Sequence, residues 1–228
     1  MSKPIPDAYP TSPRSELKRA PERGRTDRAT VHAILDEGLV AHVGFATGPQ
    51  PFVIPSAYVR IGDVLYLHGS PAGRKMRQLG KGIPVCVTVT HVDGLVLGRS
   101  ALHHSMNYRS VVIFGSARPV DDLEEKKRVL EALVEHVVPG RAAEAREPNE
   151  TELKFTRVLA LTIEEATAKV RTGPPRDDEE DLGHPIWAGV IPLSLAAGDP
   201  VTDPRLPAVE EAPSYAKEYR RGPSPPLE

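Results

Sequence analysis

The stretch YLHGSPAGRKMRQLG, residues 66–80, runs from an apolar strand through a turn into a helix. The helix begins with Arg74 and Lys75, directly after Gly73. A helix start exposes unpaired backbone N–H groups and the positive end of the helix dipole, so two further cations are unfavourable there unless an anion lies among them. A phosphate group would satisfy the amides, the dipole and both side chains together. The competing interpretation is an ordinary solvent-exposed helix that carries two basic residues.

The glycine spacing of this stretch excludes two common phosphate-binding loops. Walker A requires G-x-x-x-x-G-K-[ST] and the dinucleotide-binding turn requires G-x-G-x-x-G, and residues 66–80 match neither pattern. If the two cations bind a phosphate, they do so in a different fold, which the rest of the chain has to identify.

The composition excludes several classes of partner. The 228 residues carry a net charge of −2 at pH 7, which gives no case for binding nucleic acid or an anionic membrane surface. No apolar run reaches the roughly 18 residues of a membrane span, and the N-terminus has no apolar segment of the kind found in secretory signals. Cys86 is the single cysteine, so an internal disulfide is excluded and the cytoplasm is the expected location.

Proline and charge concentrate at the two ends of the chain, where large apolar residues are scarce. This pattern predicts an extended or disordered N-terminal arm over residues 1–25 and a Pro-rich C-terminal tail over residues 196–228. Residues 26–195 then form one domain. We expect the arms either to stay mobile or to lie along a partner subunit.

Turn signals divide the domain into short strands with a few helices between them. Helices are predicted over 26–38, with Asp27 or Thr26 as the N-cap and Gly38 as a left-handed stop, over 73–80, and over 121–138. Asp93-Gly94 predicts a hairpin turn. Seven strands are predicted, at 39–47, 52–60, 64–70, 84–90, 95–101, 110–120 and 157–171. Strands and helices do not alternate as in a parallel fold, so a small antiparallel barrel fits best.

Three stretches in this order resemble the FMN-binding split barrel, the family of pyridoxamine 5′-phosphate oxidase and its relatives. They are the strand end His68-Gly69 with the Arg74-Lys75 pair, NYRSVVIFGSAR at 107–118, and WAGVIP at 187–192. Within that family the sequence is most similar to the nitroimidazole-resistance-type, flavin-nucleotide-binding branch. The resemblance implies a mainly β fold with accessory α-helices, a split barrel of six to seven antiparallel strands.

The resemblance also implies where FMN binds. The cations of Arg74 and Lys75 hold the flavin phosphate, the backbone of PFVIPS follows the ring edge, and the strand at 107–118 passes beside the flavin. Trp187 reaches the flavin of the other subunit, which implies a homodimer with the flavin site at its interface. The implied cofactor-binding residues are Val53, Ile54, Pro55, Ser56, His68, Gly69, Ser70, Arg74, Lys75, Tyr108, Arg109, Ser110 and Trp187.

Several of these residues have an ordinary structural alternative. Ser70 and Ser110 are also typical turn caps, and Tyr108 is equally typical of a surface turn. The PFVIPS segment is also compatible with a plain barrel strand in which Pro55 marks an edge. Trp187 is also compatible with a core anchor.

The adjacent residues His103 and His104 do not indicate a metal site. Neighbouring side chains of an extended segment point to opposite faces, and no cysteine or carboxylate lies at ligand spacing nearby, so we expect no metal. A histidine on the substrate side of the flavin is the better interpretation. His68 and His104 are the candidates, with His104 as the candidate catalytic residue.

The expected activity is flavin-dependent oxidation or reduction of a small molecule, with electrons from a nicotinamide donor or another reductase. Pyridoxamine phosphate is not the expected substrate, because IPLSLAAGDPVTDPRL stands where the oxidase carries its Arg- and His-containing motif. Two alternatives stay open: a flavin carrier without turnover, and a related barrel that binds haem or a deazaflavin.

Overall fold

The computed structural model describes residues 6–206 and 211–221. These residues form nine strands and five α-helices. The strands are β1 (Gly24–Arg25), β2 (Val40–Thr47), β3 (Gln50–Ile61), β4 (Val64–Gly69), β5 (Pro84–Leu97), β6 (Ser105–Pro119), β7 (Arg157–Thr162), β8 (Glu165–Arg171) and β9 (Gly189–Pro192). The helices are α1 (Arg28–Glu37), α2 (Arg74–Leu79), α3 (Leu123–Val137), α4 (Glu150–Phe155) and α5 (Ser214–Lys217). No helix of the described part is long and apolar enough to cross a bilayer.

Six strands close into an antiparallel ring in the order β2, β3, β4, β7, β6, β5 and back to β2. Strand β8 adds to β6, β1 adds to β8, and β9 adds to β5. The mainly β, antiparallel split barrel with flanking helices is therefore confirmed. Nine strands are found instead of six or seven, because β1 and β9 lack a strong apolar pattern and residues 157–171 break into β7 and β8, while the strands predicted at 84–90 and 95–101 form the single strand β5.

Strand β3 bends from one half of the ring to the other. Its residues up to Ala57 pair with β2, whereas Tyr58–Ile61 pair with β4. Pro55 lies opposite His42 in the first half, which has β2 as its only described neighbour, so its missing N–H removes no bond from a second ladder. The edge position that Pro55 predicted is confirmed.

Two apolar cores lie on opposite sides of β3 and β4. Side chains alternate along a strand, so Leu65 and Leu67 enter the barrel interior while Tyr66 points out. The outer cluster packs Tyr66 against Val129 and Leu133 of α3. Helix α3 therefore packs on the outer face of the barrel.

Helix α1 begins as predicted and ends differently. The Asp27 carboxylate accepts the Thr30 N–H, and the apolar stripe that contains Ile34 is buried. The prediction of a left-handed stop at Gly38 is wrong, because this residue is extended, with φ −72° and ψ 140°. Glycine is needed there for space, since a Cβ would lie 2.5 Å from the Tyr58 hydroxyl oxygen.

The hairpin turn predicted at Asp93-Gly94 is also wrong. Strand β5 runs through these residues, with only a register shift against β6 between Val92 and Gly94. Strand β9 comes close at this point, so that a Cβ on Gly94 would lie 3.1 Å from the Ile191 carbonyl oxygen. The glycine therefore serves close strand packing, and the chain turns later, between β5 and β6.

The described part of the N-terminal arm packs on its own barrel, which differs from the mobile or partner-bound arm expected. Tyr9 is 3% exposed, and its hydroxyl donates to Asp63 Oδ1 at 2.6 Å. The Glu165 carboxylate accepts hydrogen bonds from the Ser12 and Ser15 hydroxyls, both at 2.7 Å, and from Arg14. Those bonds, led by the one from Ser12, lower the pKa of Glu165 to about 2. Residues 1–5 of the predicted arm lie outside the described residues.

The C-terminal tail has two different parts. Residues 193–206 are exposed and contain no helix or strand, in keeping with their composition. Residues 211–221 include α5 and return to the ends of α1 and α3, where Arg221 donates to the Glu37 carbonyl at 2.7 Å. The predicted tail also covers 207–210 and 222–228, which lie outside the described residues.

Tyr9→Ala should destabilise the chain, because it empties the buried position that ties the arm to the barrel. Removing a buried aromatic ring costs about 3 kcal/mol, which for a chain of this size lowers Tm by roughly 6–12 °C. Tyr9→Phe is the matched control, since it keeps the ring and loses only the hydroxyl contacts. Thermal unfolding followed by circular dichroism measures both, and an unchanged Tm for Tyr9→Ala would mean that the arm adds nothing to stability.

Candidate functional site

Lys75 is a half-buried cation that lacks a carboxylate partner among the described residues. Its ammonium group donates to the Ser56 hydroxyl at 2.5 Å, and no described ion pair includes it. Burial lowers the pKa of Lys75. A charge withdrawn from water without a counter-charge is unfavourable, so an anion bound here would stabilise both the ammonium group and the fold.

Arg74 adds a second cation beside Lys75 and is held by aromatic contact. Its guanidinium lies over the Phe52 ring, 4.6 Å from the centroid. Phe52 stacks on Phe45 with ring centroids 5.6 Å apart, which fixes the platform on the β2–β3 hairpin. The guanidinium N–H groups remain exposed to solvent and make no described hydrogen bond, so they are available for a ligand.

The turn that precedes α2 orders the two cations. Gly73 donates its N–H to the Ser70 carbonyl at 2.9 Å, and the Ser70 hydroxyl accepts the Ala72 N–H at 3.3 Å. The Ser70 hydroxyl therefore stabilises the turn, which is the structural role that we gave as the alternative to cofactor binding. Helix α2 has only six residues, so the two side-chain cations, rather than a helix dipole, dominate the local field.

In the first half of β3, every second side chain is exposed to solvent. Val53 and Pro55 are exposed, Ile54 packs against the barrel core, and Ser56 is buried. Because only β2 pairs with this half, the other edge of the β3 backbone carries N–H and C=O groups without a described strand partner. This edge is suited to hydrogen bonding with a flat, polar ring.

His68 lies on the outer face of β4 and lines a groove of about 1080 Å³. Helix α3 and the segment 138–148 form the other wall, with apolar side chains that include Leu133, Val134 and Val137. His68 is the one histidine among the lining residues, and it is solvent accessible through the groove. Desolvation by the walls and the nearby charge of Lys75 lower its pKa, so the neutral imidazole is favoured.

Charged residues surround the mouth of this groove, and most of them are paired. Arg146 binds Glu152 at 2.7 Å, and Lys127 lies 3.4 Å from Glu124. Arg128 also lines the groove and takes part in none of the described ion pairs or side-chain hydrogen bonds. The groove therefore combines an apolar wall with a rim where one guanidinium group is available to an anionic ligand.

The predicted residues on β6 make contacts elsewhere in the chain. Arg109 binds Glu37 of α1 and Asp93 of β5, each at 2.8 Å through Nη2, and these hydrogen bonds, that to Glu37 first, raise its pKa. The Ser110 hydroxyl donates weakly to the Lys169 carbonyl at 3.5 Å, and Tyr108 is half-buried. No described hydrogen bond joins this group to Lys75, so its role beside a flavin stays a prediction.

Trp187 is 66% exposed and lies two residues before the start of β9. Its indole ring covers Gly189, where a Cβ would lie only 2.8 Å from the ring. Nearby, Leu95, Met106 and Ile191 are cross-strand neighbours on β5, β6 and β9, and all three are exposed. The described chain thus leaves an apolar sheet face and a tryptophan uncovered side by side.

His103 and His104 contact different groups. His103 Nε2 lies 3.1 Å from Asp178 Oδ2, and His104 Nδ1 lies 3.0 Å from the Ser100 carbonyl. No carboxylate lies at ligand spacing along the sequence, yet in the structure ligand atoms of His103, Asp178 and Asp181 lie within 4.8 Å of one another. The fold brings these carboxylates in from a distant segment, which spacing along the chain does not show. The absence of a metal stays a prediction, and so does a catalytic role for His104.

The groove beside His68 was not predicted from the sequence. In the helix predicted over 121–138, the apolar residues Leu123, Leu130, Leu133, Val134 and Val137 lie on one face. Leu133 is buried and Leu130 partly buried, but Leu123, Val134 and Val137 remain exposed. The sequence shows the apolar face of this helix but not which part of it the barrel leaves uncovered.

Comparison with known proteins places the chain among flavin-related folds. The sequence profile of the family described as pyridoxamine 5′-phosphate oxidase matches residues 27–170. The flavocytochrome Anf3 from Azotobacter vinelandii is 41% identical, with a TM-score of 0.86, 92% of this chain covered and 98% of that chain. The FAD and heme binding protein from Mycobacterium smegmatis is 34% identical, with a TM-score of 0.83, 88% of this chain covered and 98% of that chain.

A more distant structure shares the fold alone. A protein described as a 5-nitroimidazole antibiotic resistance protein from Bacteroides thetaiotaomicron is 24% identical, with a TM-score of 0.55, 64% of this chain covered and 86% of that chain. No curated protein sequence matches the chain.

Proposed function

Since the chain belongs to the pyridoxamine 5′-phosphate oxidase family, we propose that it is a flavin-binding oxidoreductase that holds the flavin phosphate at Lys75 and Arg74. The observation that carries this proposal is the half-buried Lys75 ammonium group, which has a hydroxyl but no described carboxylate as its partner. A phosphate dianion supplies the missing charge. The relatives described as a flavocytochrome and as an FAD and heme binding protein support a flavin as that ligand.

In this proposal, Lys75 and Arg74 bind the phosphate in different ways. Lys75 acts as a fixed point charge, because its side chain is anchored on Ser56. Arg74, stacked on Phe52, presents two parallel N–H donors that match two phosphate oxygens. This pair recognises the phosphate that FMN and FAD share next to the ribityl chain. FMN is the form that the sequence resemblance implies, and FAD is the form that the 34% identical relative favours.

The edge of β3 receives the flavin ring in this proposal. Backbone groups from residues 50–57 that lack a second strand partner donate to and accept from the pyrimidine end. A bound flavin supplies two-electron redox chemistry, and the protein orients the ring and limits access of water and oxygen. The substrate is a small molecule and the electron donor a nicotinamide or a reductase. We place this activity in the cytoplasm, which the single Cys86 supports.

The proposed active unit is a homodimer that covers the exposed face of β5, β6 and β9. Leu95, Met106 and Ile191 form the centre of this face, and Trp187 lies at its side. Burying this patch against a second copy removes apolar surface from water, which favours association. Trp187 would then reach across to the flavin of the partner.

Leu95→Glu should convert the dimer to a monomer, because it places a charge at the centre of the apolar face. Light scattering after size-exclusion chromatography measures the mass. Leu123→Glu is the control, since it adds the same charge to an exposed leucine at the start of α3. A monomeric unmodified chain, or a dimer that survives Leu95→Glu unchanged, would contradict the proposed interface.

Lys75→Met should weaken flavin binding while the barrel stays folded. One charge-assisted hydrogen bond is worth about 1.5–3 kcal/mol, which corresponds to a Kd raised about 10- to 150-fold. Lys81→Met is the matched control, because Lys81 contacts only Gln78 in the described structure. Quenching of flavin fluorescence gives the Kd for FMN and FAD, and equal affinities for Lys75→Met and Lys81→Met would remove the phosphate assignment.

Haem in the groove at His68 is a second candidate function, favoured by the neutral imidazole that projects from β4 toward an apolar wall. Neutral imidazole is the form that binds iron, and the groove is large enough for a porphyrin. Arg128 at the rim suits a porphyrin carboxylate. The two relatives whose descriptions name a flavocytochrome and heme binding support this candidate, and a haem would supply one-electron transfer next to the flavin.

His68→Ala should abolish the absorption of a coordinated haem, since it removes the imidazole that would bind the iron. The purified chain is mixed with haemin, and the Soret band is compared with that of free haemin. His42→Ala, at an exposed position on β2, controls for binding to surface histidines. A Soret band that persists in His68→Ala, or that never forms with the unmodified chain, would rule out this coordination.

A further inference from the structure

The last described residues of the chain bind the ends of two helices at once. Helix α1 ends at Glu37 and helix α3 at Val137, and Arg221 lies between these ends. Its Nε donates to the Glu37 carbonyl at 2.7 Å, its Nη2 to the Asp36 carbonyl at 3.1 Å, and its Nη1 to the His136 carbonyl at 2.5 Å. Tyr219 adds a hydrogen bond from its hydroxyl to the Val137 carbonyl at 3.0 Å.

This arrangement satisfies groups that a helix cannot satisfy itself. The last four carbonyls of a helix have no intrahelical partner, and the negative end of the dipole lies among them. One guanidinium group therefore neutralises the negative ends of two helix dipoles. It also joins the end of α1 to the end of α3. The bonds are strong because the donor is charged.

The same contact holds the wall of the groove that contains His68. Val137, Val138 and Arg141 line the groove, and each lies at or beside the tail. Arg141 donates to the Tyr215 hydroxyl at 2.7 Å, and Val137 accepts from Tyr219. The tail therefore contacts the groove wall at Val137 and Arg141.

Besides the tail, His136 holds this end of the wall, because its Nε2 lies 2.7 Å from the Gly38 carbonyl oxygen and its ring packs beside Tyr58. The segment after α3 is mostly turn and coil as far as α4 and is largely exposed, and Val134 and Val137 are only partly covered. Segments with few buried contacts open locally at low free energy. Loss of the Arg221 contacts would leave the terminal α3 carbonyls without their charged donor, so that the last turn of α3 opens more often.

We propose that residues 211–221 form a latch that controls how fast a ligand enters and leaves the groove. The proposal rests on the groove-binding role proposed above for His68. With the latch engaged, α3 is held against the barrel and a bound planar ligand exchanges slowly. With the latch released, the last turn of α3 swings away, and exchange accelerates without any change at the imidazole.

Arg221→Ala and Arg220→Ala in the full chain test the latch. Arg220 is the matched control, because its described side-chain hydrogen bond goes only to the Tyr219 carbonyl. We expect Arg221→Ala to raise amide hydrogen exchange at 134–141 by about tenfold or more, and to speed haemin release to excess apomyoglobin by a similar factor. Arg220→Ala should match the unmodified chain in both measurements.

Equal exchange rates for the two variants would overturn the latch. So would faster exchange at 134–141 without faster haemin release, because the wall would then move without governing the ligand. If the unmodified chain takes up no haemin, the haem role itself fails and the latch, which depends on a ligand in the groove, fails with it. In that case unchanged flavin binding keeps the Lys75 site as a separate result.

Discussion

Strand β3 holds the structure together, because its two halves pair with different strands. Residues up to Ala57 belong with β2, and Tyr58–Ile61 belong with β4. Without this change of partner the ring of six strands would open between β2 and β4. The bend also explains Pro55, which lies where a missing N–H removes no ladder bond. The same open edge is the one that we propose for the flavin ring, so the closure of the barrel and the cofactor site have one cause.

The two proposed sites lie on opposite faces of β3. Ser56 points inward and holds Lys75, while its neighbour Ala57 points outward and lines the groove with His68. Successive side chains of a strand face opposite sides, so one sheet thickness separates the phosphate site from the groove. Burial and, after it, the nearby charge of Lys75 lower the pKa of His68.

The sequence predicted what depends on local pattern. The antiparallel barrel, the Asp27 cap, the edge role of Pro55 and the start of α2 after Gly73 all follow from short-range signals. It failed where contacts between distant segments decide: Gly38 and Gly94 serve close packing rather than turns, and the carboxylates beside His103 come from a remote loop. The arm that carries Tyr9 looked too polar to pack, yet one buried ring anchors it. The groove was hidden for the same reason, since no local signal shows which part of an apolar helix face remains uncovered.

The central claim is that this chain binds a flavin through the Lys75 site, and the small molecules that the protein carries test it most directly. The purified protein is denatured, and the released ligands are identified by mass spectrometry and counted by visible absorption. We expect about one FMN or FAD per chain, in a yellow protein or in a redder one if haem accompanies the flavin. A protein that releases no flavin, and that takes up neither FMN nor FAD when these are added, would contradict the account.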